Sequence, residues 1–292
     1  MCRCTIKSTR FFAPGYNLEA TLDSGQAFRW IHCGNDTWEG VVHKSWVKLC
    51  QQGTDLIVET CQNEPSKNWY WLKDYLQIET QPDELLRTCP QDEYVRRTVQ
   101  SCKGLRILRQ EPWECLASFI LSSCKQVTQI KQVISNICSR FGNIITIPED
   151  NRIAYTFPEP EVIASTKISD LEKCKTGFRA TYLKNAAELI ASKKFDLNNL
   201  KNMDYPAARA RLLTLPGVGP KIADCVLLFA FGFFEAFPMD VWIIRTLQKV
   251  YFGGAKVKRK DLEQFVHSYF GKNCGYIQQY FYHYARVVSK TA

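Results

Sequence analysis

The sequence of 292 residues has no apolar run long enough to cross a bilayer. Its longest apolar run, around Val226–Phe234, falls far short of the roughly 20 residues that a transmembrane helix needs. It also shows no charged start followed by an apolar core and a small-residue cleavage site, so no secretory signal is expected. The sequence therefore predicts an intracellular protein that makes no membrane contact.

The chain has 13 cysteines, but they are scattered, and only Cys2 and Cys4 lie close together. No C-x-x-C pair occurs, which argues against zinc fingers and thioredoxin-like chemistry. An odd number of scattered cysteines without a secretory signal is typical of free intracellular thiols, most of them small core residues. No metal site is predicted.

The balance of residue types is that of a soluble globular protein, with 46% hydrophobic and 23% charged residues. This composition excludes a disordered, collagen-like or coiled-coil chain. Charge is distributed unevenly: residues 1–105 carry 12 basic and 13 acidic side chains, whereas residues 106–292 carry 26 basic and 16 acidic ones. A compact basic surface favours a polyanion, most often nucleic acid, with a merely basic soluble domain as the alternative.

Two kinds of periodicity divide the chain. The first part has short segments rich in aromatic and β-branched residues between turn signals, which predict strands. These strands are expected at Gln26–Ile31, Thr37–His43, Ser45–Gln51 and Asp55–Glu59. From about Arg106 the period becomes helical, with Gly142 and Pro112 at helix boundaries. We therefore predict an α+β chain, with an antiparallel β-sheet domain over residues 1–105 and an all-α domain over residues 106–292.

The segment Leu212–Val226 reads as a helix end, a tight turn and a new helix. Gly217 and Gly219 allow close backbone approach at the turn. The free amides and the dipole at the start of the second helix form an anion site that suits a DNA phosphate. This pattern is typical of a helix–hairpin–helix, and an ordinary helical hairpin is the alternative.

Two residues extend this prediction from binding to chemistry. Lys221 lies on the first turn of the second hairpin helix, where the helix N-terminus and burial both disfavour a positive charge. That position favours the neutral amine that a nucleophile requires, although a phosphate contact is the alternative role. Asp240 follows Phe237-Pro-Met and precedes an apolar helix, so it is expected to cap that helix.

Several separated motifs resemble those of the 8-oxoguanine DNA glycosylase/AP lyase family, within the helix–hairpin–helix glycosylase superfamily. The matching segments are Ser24–Trp30 (SGQ-x-FRW), Phe119–Ser123 (FICSS), Gly177–Tyr182 (GYRAxY), Leu215–Cys225 (LPGVGxKVADC), Pro238–Val241 (PVDV) and Gly275–Tyr282 of the last helix. They occur in the family's order across nearly the whole chain. The resemblance implies a β-sheet domain followed by a helical helix–hairpin–helix glycosylase domain.

The resemblance also implies an activity. The enzyme would flip 8-oxoguanine out of damaged double-stranded DNA. Lys221 would attack the sugar C1′, form a Schiff base and cleave the strand by β-elimination, while Asp240 would stabilise the developing oxocarbenium charge. No cofactor is implied, and the spaced cysteines of an iron–sulfur cluster are missing because only Cys274 lies in the relevant region. A monomer is expected, in the nucleus of a eukaryote or the cytoplasm and nucleoid of a bacterium.

Four positions match the family's base pocket. Gly25 corresponds to the glycine whose carbonyl accepts a hydrogen bond from N7–H of 8-oxoguanine, a hydrogen that guanine lacks. Cys225 and Tyr282 correspond to the pair that sandwiches the flipped base. Gln278 corresponds to the glutamine that reads its Watson–Crick edge.

The predicted DNA interface departs from the family pattern. Cys124 and Gln129 occupy the positions of an asparagine and an arginine that contact the cytosine opposite the lesion. Phe178 replaces a wedging tyrosine, Arg179 keeps a second cytosine-reading arginine, and Trp242 replaces a histidine near the phosphate. Because a thiol is a poor donor and glutamine lacks the charged fork of arginine, weaker discrimination for cytosine is expected.

Two other classes of function remain open. A non-catalytic DNA-binding module would use the hairpin alone, but it would need neither Lys221 nor Asp240. A monofunctional glycosylase for alkylated purines would share the fold and the aspartate, but it would lack the hairpin lysine and the SGQ-x-FRW segment.

Overall fold

The chain folds into an antiparallel sheet followed by a helical region, as the α+β prediction requires. The computed structural model describes residues 5–62, 69–123 and 125–287. The five-stranded sheet has the order β1-β5-β4-β3-β2. Its strands are β1 (Thr5–Phe12), β2 (Ile31–Gly34), β3 (Thr37–Val42), β4 (Ser45–Gln52) and β5 (Asp55–Gln62).

Tight turns set the register of the sheet. Asn35 and Asp36 both have positive φ and link β2 to β3 in a two-residue loop, the geometry that matches the twist of a hairpin. His43 and Gly53 take positive φ in the next two turns. Because every turn is short, β2 to β5 form a meander, and β1 closes the far edge by pairing with β5.

Helices make up most of the remaining structure. They are α1 (Leu18–Leu22), α2 (Tyr70–Leu76), α3 (Pro82–Leu86), α4 (Glu93–Ser101), α5 (Pro112–Ser122), α6 (Val127–Phe141), α7 (Pro160–Ser165), α8 (Ile168–Glu172), α9 (Arg179–Ala191), α10 (Tyr205–Leu212), α11 (Pro220–Val226), α12 (Val241–Tyr251), α13 (Arg259–Phe270) and α14 (Cys274–Val287). A π-helical turn over Leu227–Phe231 continues α11. A small two-stranded sheet, β6 (Ile144–Thr146) with β7 (Ile153–Tyr155), lies between α6 and α7.

Some sequence-based boundaries were wrong. The strand predicted over Gln26–Ile31 is a loop up to Trp30. Gly25 takes φ +75°, which is not a strand conformation, and the Gln26 side chain donates hydrogen bonds to the backbone carbonyls of Thr21 and Arg106. β1 was missed because its sequence is mostly polar and only Phe11 is buried along it. The short helices α1, α3 and α8 and the short strands β6 and β7 were also missed.

Two large hydrophobic cores hold these elements, and a small third cluster includes Trp46 and Ile147. One lies under the five-stranded sheet and includes Trp30, Leu49 and Leu56, with α2 packed over it. The other fills the helical region, and it also takes in Phe28 from the loop after α1 and Val95 from α4. The loop that carries Gly25 therefore lies where the sheet meets the helices. Within the described ranges, no helix has the length and apolar character needed to cross a membrane.

Candidate active-site cleft

The hairpin between α10 and α11 has the geometry that its glycines predict. Gly217 takes φ +80°, and a Cβ there would come within 2.4 Å of Cγ of Tyr182. Gly219 caps α11 and has open space around it. A side chain at position 217 would therefore collide with Tyr182 of α9. The open space around Gly219 leaves the backbone amides at the start of α11 accessible.

Lys221 is the second residue of α11 and is half-buried. Its Nζ lies 4.8 Å from the centroid of the Phe119 ring, a cation–π distance. Phe119 stacks on Phe229 with ring centroids 5.5 Å apart and contacts Phe28 edge-on at the same distance. The amine therefore lies against an aromatic wall that shields it from water on one side.

Asp240 caps α12 as expected. Its Oδ1 accepts a hydrogen bond of 2.8 Å from the backbone N–H of Ile243. The capping bond fixes the carboxylate and leaves its second oxygen unbonded by any described residue. Asp240 thus combines a rigid position with a free acceptor.

A cleft of about 700 Å³ unites most of the predicted site residues. Its walls include Gly25, Lys221, Cys225, Asp240, Gln278, Tyr282, Gln129 and Trp242. These residues come from the loop after α1 and from α6, α11, α12 and α14. A concave site lined by aromatic rings with a few converging polar groups is typical of a ligand pocket.

Gln278 presents an unpaired acceptor in this cleft. The side chain is 4% exposed, and its Nε2 donates to the carbonyl of Pro238 over 3.0 Å. Its Oε1 is buried and has no partner among the described residues. Because an unpaired buried acceptor costs free energy, Oε1 is suited to accept a donor from a bound molecule.

Cys225 and Tyr282 are both neutral at ordinary pH. Burial raises the pKa of the Cys225 thiol to about 11, although the nearby amine of Lys221 opposes that shift. Burial raises the pKa of Tyr282 to about 12. The Tyr282 ring packs beside Gly25, where an added Cβ would lie 3.0 Å from Cε1. These two side chains therefore offer uncharged surfaces to the faces of a flat ligand.

The residues predicted to contact DNA differ in their exposure to solvent. Phe178 is 63% exposed and Trp242 is 57% exposed, so both present aromatic surface to solvent. Arg179 is buried, its Nη2 donates to the carbonyl of Ser123, and its guanidinium lies 4.3 Å from the Phe178 ring. Arg179 reaches the cleft margin only through Ser123, which lines it.

Gln129 has a structural role that its position alone did not reveal. Its Oε1 accepts a 3.1 Å hydrogen bond from the backbone N–H of Gln126, which caps α6. Cys124, the other departure in this region, lies outside the described residues.

An ion-pair chain that sequence reasoning missed joins the hairpin to the loop before Asp240. Its contacts run from the buried Asp224 on α11 to Arg209 (2.7 Å), from Arg209 to Glu263 (3.3 Å), from Glu263 to Arg259 (3.0 Å) and from Arg259 to the carbonyl of Met239 (3.3 Å). These contacts connect the helix that carries Lys221 to Met239, the residue before Asp240. Only the position of Asp224 within the LPGVGxKVADC segment could have signalled it.

Comparisons with known proteins cover nearly the whole chain. Residues 12–116 match the 8-oxoguanine DNA glycosylase N-terminal domain, and residues 117–272 match the HhH-GPD superfamily of base excision DNA repair proteins. A probable N-glycosylase/DNA lyase of Methanothermobacter thermautotrophicus is 32% identical over 216 residues, which are 67% of this chain and 68% of that protein. The N-glycosylase/DNA lyase of Saccharomyces cerevisiae is 29% identical over 266 residues, 80% of this chain and 68% of that protein.

A solved structure agrees along the full length. The 8-oxoguanine glycosylase/lyase of Clostridium acetobutylicum, in complex with double-stranded DNA containing cytosine opposite 8-oxoguanine, superposes with a TM-score of 0.90. It is 29% identical, and the match covers 98% of each chain.

Proposed function

Because the chain belongs to the 8-oxoguanine DNA glycosylase family, within the HhH-GPD superfamily of base excision DNA repair proteins, we propose that it is a bifunctional DNA glycosylase and AP lyase. It flips 8-oxoguanine out of duplex DNA, releases the base and cleaves the strand. The observation that carries this proposal is the single cleft that unites Lys221 and Asp240 with the four base-pocket residues.

Lys221 is the nucleophile in this proposal. Its neutral amine attacks C1′ of the damaged nucleotide, and the bond between C1′ and the base breaks with release of 8-oxoguanine. The amine gives up a proton to the departing base, and protonation of O4′ then breaks the C1′–O4′ bond, which produces the protonated Schiff base. The Schiff base allows a C2′ proton to leave, and β-elimination expels the 3′ phosphate. The aromatic wall formed by Phe119 supports this role, because it limits hydration of the amine and stabilises the cationic Schiff base.

Asp240 stabilises the positive charge that develops on the sugar as the glycosidic bond breaks. A carboxylate placed beforehand stabilises such charge most effectively, because it does not have to reorganise during the reaction. The capping bond to Ile243 supports this role, since it holds the carboxylate in place.

Base recognition follows from the remaining residues of the cleft. The Gly25 carbonyl accepts the N7–H of 8-oxoguanine, and the unpaired Oε1 of Gln278 accepts an N–H from the Watson–Crick edge. The neutral side chains of Cys225 and Tyr282 hold the two faces of the base. Only the first of these contacts separates the lesion from guanine.

The DNA interface combines the hairpin with exposed aromatic residues. We propose that amides near Gly217 and Gly219 bind a phosphate and that Phe178 wedges into the bent duplex. Trp242 would lie near another phosphate, and Arg179 would read the cytosine opposite the lesion. Gln129 and Cys124 replace two cytosine-reading residues, so we propose that discrimination for cytosine opposite the lesion is weak. Damaged duplex DNA is the one partner in this proposal, and the protein acts inside the cell as a monomer. We place the boundary between its two domains near residues 105 and 106.

A product assay tests the proposal. The protein is incubated with a duplex that holds one 8-oxoguanine opposite cytosine, and the free base and the cleaved strand are quantified separately. Release of 8-oxoguanine together with a strand break is expected for the wild type, and neither for Lys221→Gln. Base release without a strand break would indicate a monofunctional glycosylase. Loss of both products in the wild type would leave a DNA-binding module or another damaged base.

A further inference from the structure

The loop that carries Gly25 is held by three buried glutamines, Gln26, Gln110 and Gln279, none of which has a role in the mechanism above. We propose that Gln279 and Gln110 are positioning residues that fix the carbonyls of Ser24 and Gln26, on either side of the Gly25 carbonyl, and so determine how well the enzyme separates 8-oxoguanine from guanine. This inference rests on the proposed function, because it assigns the Gly25 carbonyl to the N7–H of the lesion.

Gln279 holds the peptide group before Gly25. It lies on α14, is 2% exposed, and its Nε2 donates to the carbonyl of Ser24 over 3.0 Å. Gln110 holds the peptide group between Gln26 and Ala27, one further along the chain, since its Nε2 donates to the carbonyl of Gln26 over 2.7 Å. The carbonyls on both sides of the glycine are therefore occupied.

The Gln26 side chain closes the base of the same loop. Its Nε2 lies 2.9 Å from the carbonyl of Thr21 and 2.8 Å from that of Arg106, and its Oε1 accepts from the N–H of Leu108. The Gly25 carbonyl accepts no hydrogen bond from any described residue. Three consecutive carbonyls thus divide into two that are held by glutamines and one that is left for a ligand.

Rigid placement matters here because glycine has wide conformational freedom. Gly25 takes φ +75° in a segment without regular secondary structure, so no ladder of backbone hydrogen bonds holds its carbonyl in place. One hydrogen bond separates the lesion from guanine, and its strength depends steeply on angle and distance. Loss of either glutamine anchor would allow the carbonyl to turn away from the base.

Gln279 also links the two reading groups of the pocket. Gln278, the preceding residue on α14, presents the acceptor assigned to the Watson–Crick edge. The same helix therefore contacts one edge of the base directly and holds the loop that reads the other edge. Helix α14 therefore fixes the distance between the Gln278 acceptor and the Gly25 loop, which suits recognition of a rigid planar ligand.

The test compares two reactions of one protein sample. Gln279→Met keeps the length of the side chain but removes its donor. Release of 8-oxoguanine under single-turnover conditions is measured beside cleavage of a duplex that holds an abasic site, which has no base to read. The ratio of the two rates does not depend on the fraction of folded protein. We expect the ratio to fall about tenfold, the effect of one lost hydrogen bond, with abasic-site cleavage unchanged.

Gln248→Met is the matched control, because Gln248 on α12 also donates from Nε2 to a backbone carbonyl. Its acceptor is the carbonyl of Val257, 3.3 Å away, and this hydrogen bond lies outside the cleft. Its ratio should equal that of the wild type. Gln279→Asn is a milder variant in case Gln279→Met does not fold, and Gln110→Met should lower the ratio as Gln279→Met does. A ratio in the Gln279 variants within twofold of the wild type would overturn the inference. Failure of the wild type itself to release 8-oxoguanine would instead overturn the proposed function, and the inference with it.

Discussion

Gly25→Ala is predicted to damage base recognition more than chemistry at the sugar. Gly25 takes φ +75°, a backbone conformation that costs an alanine roughly 1–2 kcal/mol. Its new Cβ would also lie 3.0 Å from Cε1 of Tyr282 and 3.4 Å from the hydroxyl oxygen. The ring, which we expect to contact one face of the base, would have to move by a few tenths of an ångström.

The stability cost can be separated from the effect on the pocket. For a chain of this length, a loss of roughly 1–2 kcal/mol lowers Tm by about 2–4 °C. Gly53→Ala is the matched control, because Gly53 takes φ +60° and a Cβ added there would have no neighbouring atom within 4 Å. It should lower Tm to a similar extent without any effect on catalysis.

Both variants are assayed by thermal unfolding, by release of 8-oxoguanine and by cleavage at an abasic site. Gly25→Ala should lower base release at least tenfold and leave abasic-site cleavage within about threefold of the wild type, given roughly 1.4 kcal/mol for each tenfold change in rate. Equal losses in the two reactions, or unchanged base release, would refute the assignment of Gly25 to the base.

Three further predictions concern stability and opposite-base choice. Asp224→Asn should lower the free energy of unfolding by about 3 kcal/mol, because it breaks a buried ion pair. Glu263→Gln removes a more exposed partner of the same arginine and should lower it by at most about 1 kcal/mol. Equal losses of stability in urea titrations would contradict this difference. Gln129→Arg should raise the preference for cytosine opposite the lesion, measured as excision rates across four duplexes, and an unchanged preference would contradict the role given to this position. Burial, aided by the charge of Arg286, lowers the pKa of His283 to about 4, so the unfolded chain takes up this proton first as the pH falls below about 6.5. Stability should therefore decrease between about pH 6.5 and pH 4, and His283→Phe should flatten that decrease in Tm measurements.

The local chemistry of the chain was largely readable from its sequence. Asp240 was predicted as a helix cap and is one, because a carboxylate before an apolar helix satisfies free amides wherever it occurs. The hairpin at Gly217 and Gly219 was equally clear, since its turn depends on residues that are close in sequence.

Contacts between distant segments were not readable in the same way. Gln279 and Ser24 are 255 positions apart, and nothing in either segment indicates that they meet. The strand predicted over Gln26–Ile31 failed for a similar reason, since the side chain of Gln26 bonds to the backbone of Arg106, a partner from another part of the chain. Long-range hydrogen bonds of buried polar side chains depend on the fold, so periodicity cannot predict them.

The proposed mechanism requires Lys221 to form a covalent bond with the sugar of an 8-oxoguanine nucleotide. Borohydride trapping tests it most directly: the protein is mixed with a duplex containing 8-oxoguanine opposite cytosine, the Schiff base is reduced, and the cross-linked peptide is identified by mass spectrometry. We expect a cross-link at Lys221 with the damaged duplex, and none with an undamaged duplex or with Lys221→Gln. A cross-link at another residue, or an undiminished cross-link in Lys221→Gln, would contradict the claim.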